Sequence, residues 1–290
     1  MMKKLLYFSA FAFIFSISCE DDNDQKSVDL PDDSNDGLPK NEIVYMVPSP
    51  NDQINALSVI ADDFDQSLVN DLSKGEKYFS EKSVALNFGI YSTDLAYLMR
   101  NKQGEQLFIK YINVLEAMGE KLGITQIYGE EILSLIDDSK DNPDEIYNIA
   151  GDNYLKVYDK MIENQKSAEL SLIQAGSWIE TMHLLFNSAG MFSENQDLED
   201  EITDQKYVLE NLIALMENSD NENVNEIKNT FNELTGLYAQ LDCQSTEVKV
   251  EKDSINSMTL YGGESCLFTE NTFNEMKSKI DQIRNNFIAQ

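Results

Sequence analysis

The sequence predicts an all-α protein of about eight or nine amphipathic helices, arranged as one large bundle or as two packed bundles. Apolar residues recur every three to four positions over most of the 290-residue chain, which is the spacing of helices that bury one face. Capping residues and prolines stand where several of these stretches begin. Alternation typical of strands is confined to residues 246–268, where a small β-hairpin is predicted.

The first predicted helix has a clear start. Ser49 is suited to the N-cap, Pro50 to the first helical position and Asp52 to the first turn. Apolar residues then repeat at helical spacing as far as Leu72, so a single helix is expected over this stretch. A second helix, with one apolar face, is predicted around residues 84–98.

The third helix is expected to open after Gly104 and to be closed by Gly123, since glycine is favoured just beyond a helix end. A short segment around residues 127–136 follows. Asn142 and Pro143 then mark another start, and the apolar spacing behind them predicts a helix that continues to Met161.

Four helices are predicted in the second half. Residues 168–188 form the most apolar of them and contain the only tryptophan and the only histidine of the chain. Further helices are predicted around residues 198–216, 224–241 and 273–287, the last with Thr269 as its cap. The 3–4 spacing throughout is typical of helices that pack at shallow angles in bundles.

The chain contains a hint of internal duplication. Gly89-Ile90-Tyr91 and Gly176-Ser177-Trp178 stand at comparable places in two long predicted helices, and each is followed by another amphipathic helix. Small residues next to aromatic ones are also common at close helix crossings, so this pattern alone does not establish two related halves.

The N-terminus has the layout of an export signal. Lys3 and Lys4 precede an apolar run from Leu5 to Ile17, and Cys19 follows directly before the acidic string at residues 20–24. An apolar run of this length is shorter than the roughly 20 residues that a membrane-spanning helix needs. A charged start, a short apolar segment and a following cysteine indicate a signal peptide.

This segment resembles the lipobox of bacterial lipoproteins, in which the chain is cut before a cysteine whose thiol receives lipid. Ser16 stands where that family usually has leucine, and Ser18 where glycine or alanine is commoner. Such relaxed lipoboxes followed by acidic residues are similar to those of Bacteroidota surface lipoproteins. The resemblance implies lipidation at Cys19, attachment to the outer membrane through this lipid, and exposure on either the cell surface or the periplasmic face.

Three regions are predicted on this basis. Residues 1–18 are the signal peptide, and residues 19–40 are the lipidated cysteine with an acidic tether. The tether has eight acids and two prolines in residues 20–40, and too few apolar residues to fold alone. Residues 41–290 form the all-helical domain.

The composition limits the classes of partner that the chain is expected to bind. The chain has 52 acidic and 22 basic residues and a formal net charge of −30 at pH 7, which repels nucleic acid phosphates. We therefore expect no nucleic acid partner. The excess of acid is explained either by solvation of the surface or by attraction of basic partners, with solvation the better-supported interpretation.

The two remaining cysteines are a candidate disulfide. If Cys19 carries lipid, Cys243 and Cys266 are left as a pair in an oxidising compartment, on either side of the least helical stretch of the chain. Two buried free thiols are the alternative.

The sequence provides no catalytic set. His183 is the only histidine, and it lies on an apolar helix face where a structural role is the more economical interpretation. The chain contains no GxSxG, HExxH, glycine-rich phosphate loop or paired CxxC motif. Acidic clusters at residues 137–138 and 197–201 lack the ligand spacing of an EF-hand. We therefore expect no enzymatic activity, no cofactor and no metal site.

One group of residues suggests a ligand pocket. Trp178, Glu180 and His183 lie close together on the most apolar helix, and a carboxylate inside such an element is costly without a partner or a purpose. If that helix is central, this trio is the candidate pocket; if Glu180 faces solvent, the idea fails.

The sequence thus predicts a lipid-anchored envelope protein that acts as a non-enzymatic interaction or scaffold module, with another envelope protein as its partner. The alternative is a small-ligand-binding lipoprotein with a pocket between helices. Imelysin-like lipoproteins are also helical envelope proteins, but their Gly-x-His-x-x-Glu signature is absent around His183, so their function is not transferred.

Overall fold

The structure is a computed structural model that describes residues 47–60, 64–100, 105–124, 143–252 and 258–289. The predicted signal peptide, Cys19, the predicted acidic tether and the segment at 127–136 lie outside the described residues. The α-helices of the described residues are α1 Pro50–Ile60, α2 Glu81–Arg100, α3 Glu105–Lys121, α4 Pro143–Glu163, α5 Ser167–Ala189, α6 Gln196–Met216, α7 Glu222–Tyr238 and α8 Glu270–Ile288.

Strands β1 Asp242–Lys252 and β2 Met258–Leu267 pair in a two-stranded sheet. The predicted all-α fold with a small hairpin is therefore confirmed. The helices belong to one compact unit, Tyr45–Cys243 with Cys266–Gln290, and residues Gln244–Ser265 fall in a separate unit. No helix among the described residues is both long and apolar enough to cross a bilayer.

Local capping explains where the predicted helices start and stop. The Asp52 N–H donates to Ser49 Oγ at 3.2 Å before α1, and the Thr272 N–H donates to Thr269 Oγ1 at 3.2 Å before α8. Gly123 ends the α3 region with a φ of +71°, a left-handed conformation that glycine adopts without strain.

The prediction of one helix from Pro50 to Leu72 is wrong. Helix α1 ends at Ile60, and two 3-10 turns follow at Gln66–Leu68 and Leu72–Lys77. Asp65 and Asp71 start these turns, because each side chain accepts a hydrogen bond from the backbone N–H two residues on, at 2.8 Å. Such local side-chain bonds compete with helix formation. Residues 65–79 are called the strap below.

Helices α2 and α5 form the centre of the helical unit. They pack against each other, and between them they contact all the other helices of the described residues. Every residue from Ser83 to Met99 in α2 is buried, and so is nearly all of Leu170–Phe186 in α5. The two helices are therefore surrounded by protein on all sides, and α2 buries polar residues as well, among them Asn87, Thr93 and Asp94.

The two central helices touch through their backbones. A Cβ added to Gly89 would lie 1.9 Å from the Ile173 carbonyl oxygen, and one added to Gly176 would lie 1.8 Å from the Leu86 carbonyl oxygen. These are the glycines of the two segments that hinted at duplication. Their location at one crossing accounts for the pattern through close approach of α2 and α5.

Cys243 and Cys266, the pair expected to form a disulfide, are bonded to each other. Cys243 lies near the start of β1 and Cys266 near the end of β2. The bond therefore closes the loop of chain that contains the hairpin, which restricts the unfolded chain.

Candidate functional site

Trp178 is part of the core. Its side chain is fully buried in α5, its Nε1–H donates to Gln205 Oε1 at 3.1 Å, and its ring meets that of Phe231 edge-on with centroids 5.3 Å apart. Since Gln205 is on α6 and Phe231 on α7, the indole is directed toward those helices. Its one polar atom is satisfied there, as is usual for buried tryptophan.

Glu180 is also fully buried, and its partner comes from α8. Arg284 donates from Nε to Glu180 Oε2 at 2.6 Å and from Nη2 to Glu180 Oε1 at 2.7 Å. This is the bidentate geometry in which a guanidinium best matches a carboxylate. Burial alone would lower the pKa of Arg284, but the Glu180 carboxylate, together with Asp94 and Asp281, raises that pKa above its usual value.

A second buried acid, which the sequence did not single out, belongs to the same centre. Asp94 of α2 is fully buried, and its Oδ2 accepts the Asn70 N–H at 2.9 Å. Burial raises the pKa of Asp94 well above its usual value, and the neighbouring Glu180 carboxylate raises it further, while Arg284 acts in the opposite direction. Asp94, Glu180 and Arg284 are called the ionic centre below.

The strap lies on the ionic centre and is fastened to it. Arg284 Nη2 donates to the Leu68 carbonyl oxygen at 3.1 Å. Both backbone polar groups of Asn70 are bound, since its N–H donates to Asp94 and its carbonyl accepts the Tyr111 hydroxyl at 2.7 Å. The Tyr91 hydroxyl donates to the Asp71 carbonyl at 2.6 Å. Side chains of α2, α3 and α8 thus replace the helical hydrogen bonds that this segment lacks.

His183 forms a separate pair near the surface. Its Nδ1 lies 2.8 Å from Asp281 Oδ1, and its side chain is 13% exposed. The hydrogen bond from His183 is the largest cause that lowers the pKa of Asp281. Asn187 Nδ2 lies 3.1 Å from the same ring nitrogen and also donates to the His183 carbonyl at 2.7 Å. Since the Asp281 carboxylate can only accept, Nδ1 carries the proton, and the ring is oriented by this hydrogen bond while the Asn187 amide binds the His183 carbonyl.

The outer face of α8 beside this pair forms an open groove of about 570 Å³. It is lined by Asn274, Lys277, Ser278, Asp281, Gln282, Asn285 and Asn286. The Lys277 ammonium is already directed to the carbonyl oxygens of Phe186 and Gly190, at 3.0 and 3.2 Å. Lys277 and Asp281 are both engaged, and the other five lining side chains end in uncharged amide or hydroxyl groups, which both donate and accept hydrogen bonds.

The three residues of the predicted pocket, Trp178, Glu180 and His183, thus do not all face the same helices. Glu180 and His183 both reach α8, where their partners Arg284 and Asp281 are three residues apart, whereas Trp178 faces α6 and α7. Sequence spacing correctly places Glu180 and His183 on one side of α5, but each finds its own partner. A second groove, of about 370 Å³, lies between α6 and α7 and is lined by other residues, including Glu210 and Glu217.

In the part of the chain that the structure describes, no group of three or more histidine, cysteine, aspartate or glutamate side chains is placed to hold a metal ion. Comparison of the chain with models of protein families, with curated proteins and with solved structures finds no match.

Proposed function

We propose that this chain is a lipid-anchored envelope protein without enzymatic activity, whose helical domain binds another envelope protein. The lipobox-like segment at Cys19 and the acidic tether support the anchor. Trp178, Glu180 and Arg284 are each hydrogen-bonded to other side chains of the core. Their engagement there supports the proposal that the protein has no enzymatic activity.

The observation that carries the binding role is the groove on α8. In a chain with a formal charge of −30, this face has an accessible lining of amides and hydroxyls beside the oriented His183–Asp281 pair. Uncharged polar groups can be desolvated at a protein interface at lower cost than carboxylates. The face therefore suits the docking of a protein partner better than a face covered with acids.

Binding of a small polar ligand is the second candidate. The volume of about 570 Å³ is within the usual range of ligand pockets. The groove is open and has no aromatic wall among its lining residues, which favours a macromolecular partner that covers it from outside.

The test of the proposed docking face is site-specific crosslinking. A photoreactive amino acid in place of Gln282, in the groove, is expected to capture a discrete envelope protein in intact cells. The matched control is the same substitution at Lys156, which is exposed on α4. The captured protein, once identified and purified, should bind the purified helical chain, and binding should weaken when Gln282 and Asn285 are replaced by glutamate. Equal capture at both positions would contradict the proposal.

The anchor has its own prediction. The Cys19→Ala variant should lose acyl labelling and appear in the soluble fraction, because no other lipid attachment is expected. A variant with both Cys243→Ser and Cys266→Ser controls for thiol chemistry elsewhere and should keep the label and the membrane association. Continued labelling of the Cys19→Ala protein would show that the anchor has been assigned to the wrong residue.

A further inference from the structure

The ionic centre contains one acid more than it contains bases. Asp94 and Glu180 are both fully buried, and Arg284 is 8% exposed. Glu180 and Arg284 neutralise each other through two short hydrogen bonds. An additional carboxylate at Asp94 would leave one uncompensated negative charge away from water, which is strongly disfavoured.

The hydrogen bonds around Asp94 also indicate, independently of charge, that this carboxyl is not ionised. Oδ2 accepts the Asn70 N–H, while Oδ1 is buried and has no hydrogen-bond partner in the structure. The hydroxyls of Tyr91 and Tyr111 are directed to backbone carbonyls of the strap, and that of Tyr78 donates to the Ile288 carbonyl at 3.3 Å. Since these nearby donors are committed, a proton on the Asp94 carboxyl itself would complete the network.

We infer that Asp94 and Glu180 form a buried site that binds one proton at neutral pH. The proton resides on Asp94 Oδ1 and is donated to Glu180, which remains paired with Arg284. The raised pKa of Asp94, caused by burial and then by Glu180, agrees with this placement.

Loss of the proton would change the partners of Arg284. Two carboxylates would then compete for one guanidinium, which also holds the strap through the Leu68 carbonyl oxygen. Attraction of Arg284 toward Asp94 weakens that contact, and repulsion between Asp94 and Glu180 favours entry of water. The Asn70 N–H donates to Asp94 itself, and this hydrogen bond favours the ionised carboxylate. Loss of the proton is therefore expected to weaken the strap at Leu68 and not at Asn70.

The other ionisable groups that face this centre come from the strap and from α2, α3, α5 and α8. They are Asp71, Tyr78, Tyr91, Tyr111, His183 and Asp281. Burial raises the pKa values of the three tyrosines, so they stay neutral in the neutral range. Hydrogen bonds from Ser73 and from His183 lower the pKa values of Asp71 and Asp281, so these acids stay ionised. His183 is paired with Asp281, and its contribution can be removed by mutation.

The sign of the pH dependence follows from the direction of the shift. Because the pKa of Asp94 is higher in the folded chain than in the unfolded one, the folded chain binds up to one additional proton between the two values. The associated stability is complete below about pH 4, the ordinary aspartate range. It is lost as the pH rises through the folded-state pKa.

The direct test is infrared spectroscopy of the full chain with ¹³C-labelled aspartate. An Asp204→Asn background removes another aspartate whose pKa burial raises. At pH 7 we expect the carbonyl band of a protonated aspartic acid, which disappears in Asp94→Asn and persists in His183→Gln. Absence of the band at pH 7, or its persistence in Asp94→Asn, would overturn the site.

A second measurement uses the pH dependence of urea unfolding. Asparagine resembles the protonated acid, since its amide can donate to Glu180 and its oxygen can accept from Asn70. Unfolding of the parent chain should therefore release one proton more than unfolding of Asp94→Asn between pH 5 and the pH at which the band disappears. Equal proton release contradicts the inference. Should Asp94→Asn fail to fold, the parent chain alone provides the test: the infrared band and the additional proton release on unfolding should disappear at one common pH, and separate pH values refute the inference.

Discussion

Replacement of Arg284 by methionine is expected to lower the free energy of unfolding by about 3–5 kcal/mol, the range for removal of one partner from a buried ion pair. The change leaves Glu180 fully buried without its two charge-assisted hydrogen bonds, and it frees the Leu68 carbonyl of the strap. Urea unfolding followed through the fluorescence of Trp178, the only tryptophan, measures the loss. The loss should increase with pH, since a proton on Asp94 at lower pH leaves less uncompensated charge in the ionic centre.

The matched control is Lys279→Met on the same helix. Lys279 pairs with Glu233 in an exposed ion pair, and such pairs contribute at most about 1 kcal/mol. The two variants remove one positive charge each from α8 and differ mainly in burial. An Arg284→Met protein as stable as Lys279→Met would mean that the ionic centre is open to water, and would remove the basis for a buried proton as well.

The sequence predicts that Glu180 is buried for a reason, but it does not predict its partner. Its position inside an apolar helical stretch correctly marks it as an acid that needs a reason to be buried. The helical period places His183 as its nearest candidate partner, but the real partner is Arg284, 104 residues away. The helical period predicts on which face of its helix a residue lies. Pairing between distant helices depends on how these helices pack, and the period carries no information about that.

The strap and Asp94 were missed for a related reason. Apolar spacing at Phe64, Leu68 and Leu72 imitates a helix, and the competing signal is the pair of Asp-x-Ser sequences at Asp65 and Asp71, whose side chains bond the backbone two residues on. That local signal was available in the sequence and should have outweighed a three-residue periodicity. The sequence signal for Asp94 is weaker, since it consists only of an isolated acid in a stretch of mostly apolar or small residues.

Capping was predicted well because it is local. Ser49, Gly123 and Thr269 act within a few residues of themselves, so their effect is independent of the rest of the fold. The two glycines of α2 and α5 show the opposite case. Their similar surroundings suggested duplication, whereas the structure explains them as the two sides of one contact.

Replacement of Gly176 by alanine is accordingly expected to lower the free energy of unfolding by more than about 3 kcal/mol, above the usual cost of inserting a methyl group into a core. The new Cβ would lie 1.8 Å from the Leu86 carbonyl oxygen and 2.7 Å from the Leu86 carbonyl carbon. These are backbone atoms inside a helix and cannot turn aside as a side chain can. Helices α2 and α5 would have to separate, which disturbs every helix packed on them. Urea unfolding monitored by circular dichroism measures the effect.

Gly236→Ala is the control that separates this clash from helix propensity. Gly236 is also helical, but a Cβ added there meets nothing within 4 Å, so the substitution should stabilise the chain by about 0.5–1 kcal/mol through the better helix propensity of alanine. Opposite signs at the two positions are expected if close backbone contact is the reason for Gly176. A stabilising or neutral Gly176→Ala would instead mean that α2 and α5 are farther apart in solution, and that neither the glycine pair nor the ionic centre beside it is packed as described.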